Sequence, residues 1–160
     1  MGHDAPMRRR DKEIADRTEI ERIIDAASVL RVAMVDAGQP YVVPMNFARE
    51  GSDIWLHSAL TGRKVDCLRA DGRVCIEVDH FTSLKTGPSA CDDWSSSYES
   101  VIGFGKAEIV EDSAEKIRGL KALMRKYSGR DDWSFDGLPT TAVIRVRLES
   151  VTGKRSPIAG

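Results

Sequence analysis

Between residues 29 and 58 the apolar positions fall into three short β-rich runs, VLRVAMV, YVVPMNFA and IWLHS, separated by the turn sequences DAGQP and REGSD. Connections this short cannot hold the crossovers that parallel neighbours require, so the runs predict an antiparallel meander. Ahead of them, Ile20, Ile23, Ile24 and Ala27 recur at helical spacing behind the capping box Thr18-x-x-Glu21, which predicts a short amphipathic helix with a narrow apolar face. After residue 58 the texture changes again. Val65 and Leu68 open a helical pattern that ends before Gly72, and in RVCIEV the residues Val74, Ile76 and Val78 alternate with Arg73, Cys75 and Glu77. That alternation marks a strand buried on one face. Residues 80–97 are polar, contain Gly87-Pro88 and Ser95-Ser96-Ser97, and are expected to form a long loop. ESVIGFGKAEIV is the fifth strand. Asp112-x-x-Glu115 caps a helix through Ile117, Leu120, Leu123 and Met124, and TAVIRVRLESV turns Ala142, Ile144, Val146 and Leu148 inward along a final strand.

Two details narrow the architecture. Pro44 lies inside a strand pattern, and proline is confined to edges, bulges or places where something other than a strand lies alongside. The glycines of Gly103-Phe104-Gly105 do not continue as a dinucleotide fingerprint, because the position of the third glycine is Glu108 and no helix follows. They mark a bend in a barrel strand. Short antiparallel links of this kind predict a mainly β fold with α, class α+β: a six-stranded antiparallel split β-barrel with flanking helices. Residues 13–155 form the single domain, with a flexible N-terminal tail at 1–12 and a C-terminal tail at 156–160. A small barrel is filled by its own side chains, so a ligand must sit on its outer surface or at a contact with a second subunit.

The stretch of residues 55–64, WLHSALTGRK, carries the clearest chemical signal. It reads as a strand end, a polar turn and the start of a helix. The first N–H groups of a helix lack intrahelical partners and carry partial positive charge, which suits a phosphate or carboxylate. Gly62 lets such a ligand come close, while Arg63 and Lys64 place two cations where the helix dipole itself favours Asp or Glu. The bland alternative is an ordinary solvated pair of cations.

With 160 residues, 41% hydrophobic and 31% charged, the chain builds one core. Its 24 Lys and Arg against 25 Asp and Glu leave a net charge of −1, which speaks against nucleic acid as a partner. The cluster Arg8-Arg9-Arg10 is followed at once by Asp11 and Glu13 and reads as a self-compensated tail. No apolar run approaches the ~18 residues of a membrane span and no secretory core is present, so a cytoplasmic location away from membranes is expected. Cys67, Cys75 and Cys91 fit reduced thiols, the first two packing and the third exposed. The histidines His3, His57 and His80 include no pair at ligand spacing, so no metal site is expected. His3 reads as a tail residue and His80 as a solvated strand end.

The ordered blocks AMVDAGQPYVVPMNF, IWLHSALTGRKVDCLRADGRVCIEVD, YESVIGFGKAEIV, ALMRKYSG and TAVIRVRLESVTGKR resemble the FMN-binding split-barrel superfamily typified by pyridoxamine 5′-phosphate oxidase. Within it they look most like the branch of nitroimidazole-resistance (Nim-type) reductases, over residues 7–155. The resemblance implies a homodimer with FMN in the subunit interface. On this sequence Val43, Pro44, Met45 and Asn46 would run beside the flavin ring, His57 and Ser58 would border the ring and ribityl chain, and Arg63 and Lys64 would hold the phosphate. Trp94, Tyr98 and Ser100 of the second subunit would close over the flavin. The chain ends GKRSPIAG without the Arg/His-rich substrate motif of true pyridoxamine phosphate oxidases, which points away from vitamin oxidation.

The function this implies is a flavin-dependent oxidoreductase that moves electrons from NADH or NADPH to a small acceptor such as a nitroaromatic. The cofactor carries the hard chemistry, so few acid–base residues are needed; His57, titrating near neutrality, is the proton-donor choice. Its bland alternative is a hydrogen bond to the cofactor or packing beside Trp55. A second class of reading is a flavin- or haem-binding carrier or sensor module, since some relatives bind haem and a lone His can be its axial ligand. A third is a barrel that has lost its cofactor.

Overall fold

A computed structural model describes residues 7–156. The strands are β1 (Glu13–Ile14), β2 (Leu30–Asp36), β3 (Gln39–Met45), β4 (Ala48–Glu50), β5 (Asp53–Ala59), β6 (Arg73–Lys85), β7 (Ser95–Ile109) and β8 (Thr141–Ser156). They form one eight-stranded sheet in the order β3-β2-β6-β7-β8-β5-β4, with β1 added alongside β8, and all neighbours run antiparallel. The six long strands are those the alternation predicts. β1 and β4 are the two additions, and at two and three residues they are too short to show a period.

The helices are α1 (Arg17–Ala26), α2 (Arg63–Ala70) and α3 (Ser113–Ser128). α3 begins as expected, with the Asp112 carboxylate accepting the Glu115 N–H at 2.9 Å, and ends at Gly129 in the left-handed region, φ 76°. For α1 the cap differs from the expected Thr18. Asp16 is the N-cap and its carboxylate accepts the Thr18 N–H at 2.9 Å, which places Thr18 inside the first turn. An anionic cap both fills an orphan donor and complements the helix dipole.

Two cores sit on opposite faces of the sheet. The larger fills the barrel with Ile23, Ile24, Leu30, Val32, Phe47, Ile54, Leu56, Ile76, Val78, Ile144 and Val146, all at most 1% exposed. The smaller lies under α3 and gathers Ala48, Trp55, Val110, Ala122, Leu123 and Val143. β5 and β8 are therefore buried on both faces at their crossing, where alternation alone shows only one. Gly119 makes the close helix contact: a Cβ there would lie 2.5 Å from Trp55 Cε3 and 2.9 Å from Val143 Cγ1.

The expected loop over residues 80–97 is instead mostly hairpin. β6 continues to Lys85 and β7 starts at Ser95, with a register shift between Phe81 and Ser83, so only 86–94 connect them. The polar residues belong to a two-stranded ribbon that runs past the core, where neither face needs an apolar side chain. His80 is also no solvated end, since its Nε2 lies 3.0 Å from the Ile23 carbonyl oxygen and ties β6 to α1. The bend at Gly103-Phe104-Gly105 is present as a register shift between Phe104 and Gly105, where a Cβ on Gly105 would run into the Arg147 carbonyl.

Of the tail at 1–12, Arg10–Lys12 form a 3-10 turn, and Lys12 Nζ donates to Ser156 Oγ at 2.9 Å. Arg9 pairs with Asp11 at 2.6 Å, the self-compensation read from the sequence. His3, the rest of the tail at 1–6 and the C-terminal residues 157–160 lie outside the described residues. Among the described residues all three cysteines are free, with Cys67 buried and Cys91 exposed, and no helix is long and apolar enough to cross a membrane.

Candidate functional site

β5 delivers the chemistry to one end of the barrel. Ile54 and Leu56 point into the barrel and Trp55 points under α3, and beyond them the strand leaves both cores. His57 is exposed and Ser58 half-buried, paired in register with Val143 and Ala142 at the start of β8. The Ser58 hydroxyl donates to the Ala59 carbonyl at 2.9 Å. The chain then turns into α2 through Gly62, whose φ of 123° only glycine adopts at little cost. No side chain caps this helix start, and a Cβ on Gly62 would meet nothing within 4 Å. Among the described residues the first turn of α2 therefore has no side-chain cap, and its start at Gly62 is uncrowded.

Arg63 and Lys64, which the sequence pairs as one cradle, part company. Arg63 reaches back to the β2–β3 hairpin, where its Nε donates to Asp36 Oδ2 at 2.6 Å and its guanidinium lies 4.2 Å from the centre of the Tyr41 ring. It lines a cleft of about 520 Å³ shared with Asp36, Asp66 and Cys67. Lys64 forms no ion pair with any described carboxylate. Partial burial holds its pKa below the usual lysine value. Partial burial also lowers the pKa of His57, and the charge of Lys64 lowers it further. Lys64 and His57 therefore share one electrostatic neighbourhood, in which a half-sheltered ammonium disfavours the protonated imidazole.

The segment Val43–Asn46 is the end of β3 and the residue that follows it. The hairpin turns at Ala37 (φ 48°) and Gly38 (φ 87°), the paired positive φ values of a two-residue turn. With Asp36 opposite Gln39 the register places Pro40 opposite Val35 and Pro44 opposite Arg31. Antiparallel pairs alternate between bonded and non-bonded, so both prolines fall where the missing N–H would have faced the free edge. Among the described residues β3 has β2 as its sole strand neighbour, and its outer edge keeps carbonyl acceptors and the Val42 N–H open. Val43 packs on the barrel core, Met45 is buried at 7% exposure, and Pro44 and Asn46 are exposed. The β4–β5 ladder ends at Ala48 opposite Trp55, two positions short of the level of Asn46 and His57. The link Asn46–Phe47 carries the chain from β3 into β4, the neighbour of the strand that bears His57 and Ser58, and Lys64 follows them at the start of α2.

Trp94, Tyr98 and Ser100 lie elsewhere. Tyr98 and Ser100 pair with Ser156 and Lys154 at the far end of β8, which at ~3.3 Å per residue is roughly 36 to 43 Å of strand from the Val143 level of His57. Trp94 sits in the ribbon's tip, half exposed, with its indole N–H donated to the Gly87 carbonyl at 2.8 Å. Ser100 lines a cleft of about 250 Å³ with Ile102, Thr152 and Lys154, and Lys154 Nζ lies 5.9 Å from the Tyr98 ring centre. Within one chain these residues do not join His57. Asp36, Tyr41 and Lys154 are the neighbours that sequence reasoning misses, because each meets its site residue through strand pairing or packing that leaves no local motif.

Comparison with known proteins bears on the family and the fold. The family model described as pyridoxamine 5′-phosphate oxidase matches residues 16–155. A solved structure from Bacteroides thetaiotaomicron, named for 5-nitroimidazole antibiotic resistance, is 35% identical, with TM-score 0.77 over 89% of this chain and 86% of the other. The flavocytochrome Anf3 from Azotobacter vinelandii shares the fold at TM-score 0.81 and 23% identity, over 95% of this chain and 72% of that one. Among curated proteins, an uncharacterized protein of Rhizobium meliloti is 29% identical over 70 residues, 44% of this chain and 46% of its own length.

Proposed function

The chain belongs to the pyridoxamine 5′-phosphate oxidase family, and on that premise we propose that it is an FMN-dependent oxidoreductase passing electrons from NADH or NADPH to a small acceptor such as a nitroaromatic. The observation that carries this reading is the uncapped start of α2 beside Lys64, an ammonium without a carboxylate partner among the described residues. That donor set fits a phosphate: backbone N–H groups, the positive end of a helix and a partly desolvated cation. The open edge of β3 fits the other end of the same molecule, because a flavin ring carries donors and acceptors along one side and β3 offers carbonyls and the Val42 N–H. The choice of acceptor is supported by the relative at 35% identity, whose name concerns a class of small nitroaromatic compounds.

A bound FMN supplies the two-electron redox chemistry; the rest falls to side chains of this protein. Lys64 and the α2 start would hold the phosphate, and within Val43, Pro44, Met45 and Asn46 the Pro44 carbonyl and the Asn46 backbone would face the ring, since Val43 and Met45 are bonded to β2. His57, whose pKa partial desolvation and Lys64 lower, would serve as a hydrogen-bonding group toward the ring. A phosphate beside Lys64 offsets that charge and moves the imidazole back toward the range in which it donates a proton. Tyr98 and Ser100 pair with the far end of β8 and Trp94 lies in the tip of the ribbon, away from their own chain's site, which supports a homodimer in which each copy would cover the flavin of the other.

A visible absorption spectrum of the purified protein, taken before and after adding FMN, tests the reading. Flavin bands with NADH- or NADPH-dependent bleaching and loss of a nitroimidazole support it. A Soret band would assign a haem carrier instead, and neither set of bands after addition of FMN would refute the proposal.

A further inference from the structure

The strip Val43–Asn46 ends at a residue held from behind by α3. Asn46 and Phe47 lie between β3 and β4 and belong to neither strand, so the Phe47 N–H needs a partner outside the ladder. It finds the Tyr127 hydroxyl, which accepts it at 2.9 Å and in turn donates to the Ser28 carbonyl at 2.6 Å. One phenol oxygen therefore joins the last turn of α3, the link between α1 and β2, and the segment that follows Asn46. The Phe47 ring is fully buried, and Lys126 Nζ stands 3.4 Å from its centre. That nitrogen is buried and makes no hydrogen bond among the described residues, and the ring face lies against it as a cation–π contact. Asp25 on α1 and Arg49 on β4 are the charged groups that act on it from the neighbouring elements. Phe47 is thus fixed twice, through its backbone by Tyr127 and through its ring by Lys126.

Resting on the function proposed above, we propose that Tyr127 is a positioning residue that sets the angle at which the Val43–Asn46 backbone meets the flavin ring, with Lys126 pinning the same segment through the Phe47 ring. Tyr127 touches neither the phosphate end nor any group assigned to the ring. It acts through Phe47, whose peptide is joined directly to the Asn46 carbonyl. An unpaired N–H at this part-buried position costs enough to make the segment shift toward another partner, and the strip shifts with it.

The test uses the full chain and Tyr127→Phe, which keeps the ring and removes the oxygen. Circular dichroism confirms the native fold of the variant, amide exchange reads the Phe47 N–H, and FMN titration reads affinity and the visible bands of the bound flavin. Expected are rapid exchange at Phe47, FMN affinity weakened about tenfold, and displaced flavin bands, a signature that loss of global stability alone does not produce. Faster exchange at Phe47 with wild-type affinity and bands would overturn the positioning role. Unchanged exchange would overturn the clamp itself. If the wild-type chain binds no FMN while exchange at Phe47 still responds, the functional reading fails and this role fails with it, which the titration of the wild type alone distinguishes.

Discussion

Lys64, and not Arg63, is expected to carry most of the phosphate affinity. On charge alone the two are equivalent, but they start from different states. Arg63 is already committed to Asp36 at 2.6 Å and to the face of Tyr41 at 4.2 Å, so an incoming phosphate must replace partners it already has. Lys64 has no carboxylate to release among the described residues and has already lost part of its hydration. A charge-assisted hydrogen bond contributes ~1.5–3 kcal/mol, so Lys64→Ala should weaken FMN binding about 10- to 150-fold. Arg63→Ala should weaken it by less than about tenfold, because the gain is offset by the pair given up. Asp36→Asn tests the same logic in reverse: freeing Arg63 should tighten binding about two- to fivefold. Quenching of FMN fluorescence, titrated at two ionic strengths, reads all three. Arg63→Ala proving the costlier change, or Asp36→Asn weakening binding, would show that the Asp36 pair holds Arg63 in its working position and would refute the argument.

Three further outcomes follow from the geometry. His57 should titrate below 6.5 by NMR, its pKa should rise when inorganic phosphate is added, and it should rise in Lys64→Ala as well; a fall in either case contradicts the placement of Lys64 beside it. Lys126 is held down to about 8 in the folded chain against 10.5 in its ordinary state, so between those pH values the unfolded chain keeps a proton that the folded chain has lost, and stability rises with pH across the window. Lys126→Met should abolish that rise and add on the order of 1 kcal/mol below pH 8, after allowance for solvent screening, as measured by urea unfolding. Gly119→Ala gains about 1 kcal/mol of helix propensity. A Cβ 2.5 Å from the Trp55 indole forces overpacking of ~1–3 kcal/mol or more, so net destabilisation with altered Trp55 emission is expected, and net stabilisation would mean that α3 gives way freely.

The alternation of Val74, Ile76 and Val78, and the turns DAGQP and REGSD, made the six long strands and their antiparallel order legible, because each buries one face against a single core. Where that premise lapsed, so did the reading. Trp55 and Val143 are buried on the face opposite the barrel because α3 covers it, and nothing in IWLHS or TAVIRVRLESV announces a second core. The polar run beyond His80 lacked any alternation to detect, since a ribbon extending past the core satisfies its backbone within itself. Asp16 displaced Thr18 as the cap of α1 although both are good caps two residues apart, a choice that depends on where the chain enters after β1. At the site, the α2 start and the exposed position of His57 were legible from a local strand–turn–helix pattern. The Arg63–Asp36 pair and the Tyr127–Phe47 bond were not, because they join residues 27 and 80 positions apart.

β8 pairs with β1, β5 and β7, and it follows every other described element along the chain. Until residues 141–156 arrive, one edge of β5 and one edge of β7 are bare, and the floor beneath α3 lacks Val143. Assembly therefore has to wait for the last strand, and its pairings span most of the chain, which favours slow, all-or-none closure over stepwise growth. The exposed edges of that waiting state are the hazard in its folding. Expression at low temperature, or with chaperones that shield strand edges, should raise the soluble yield more than changes to the folded surface.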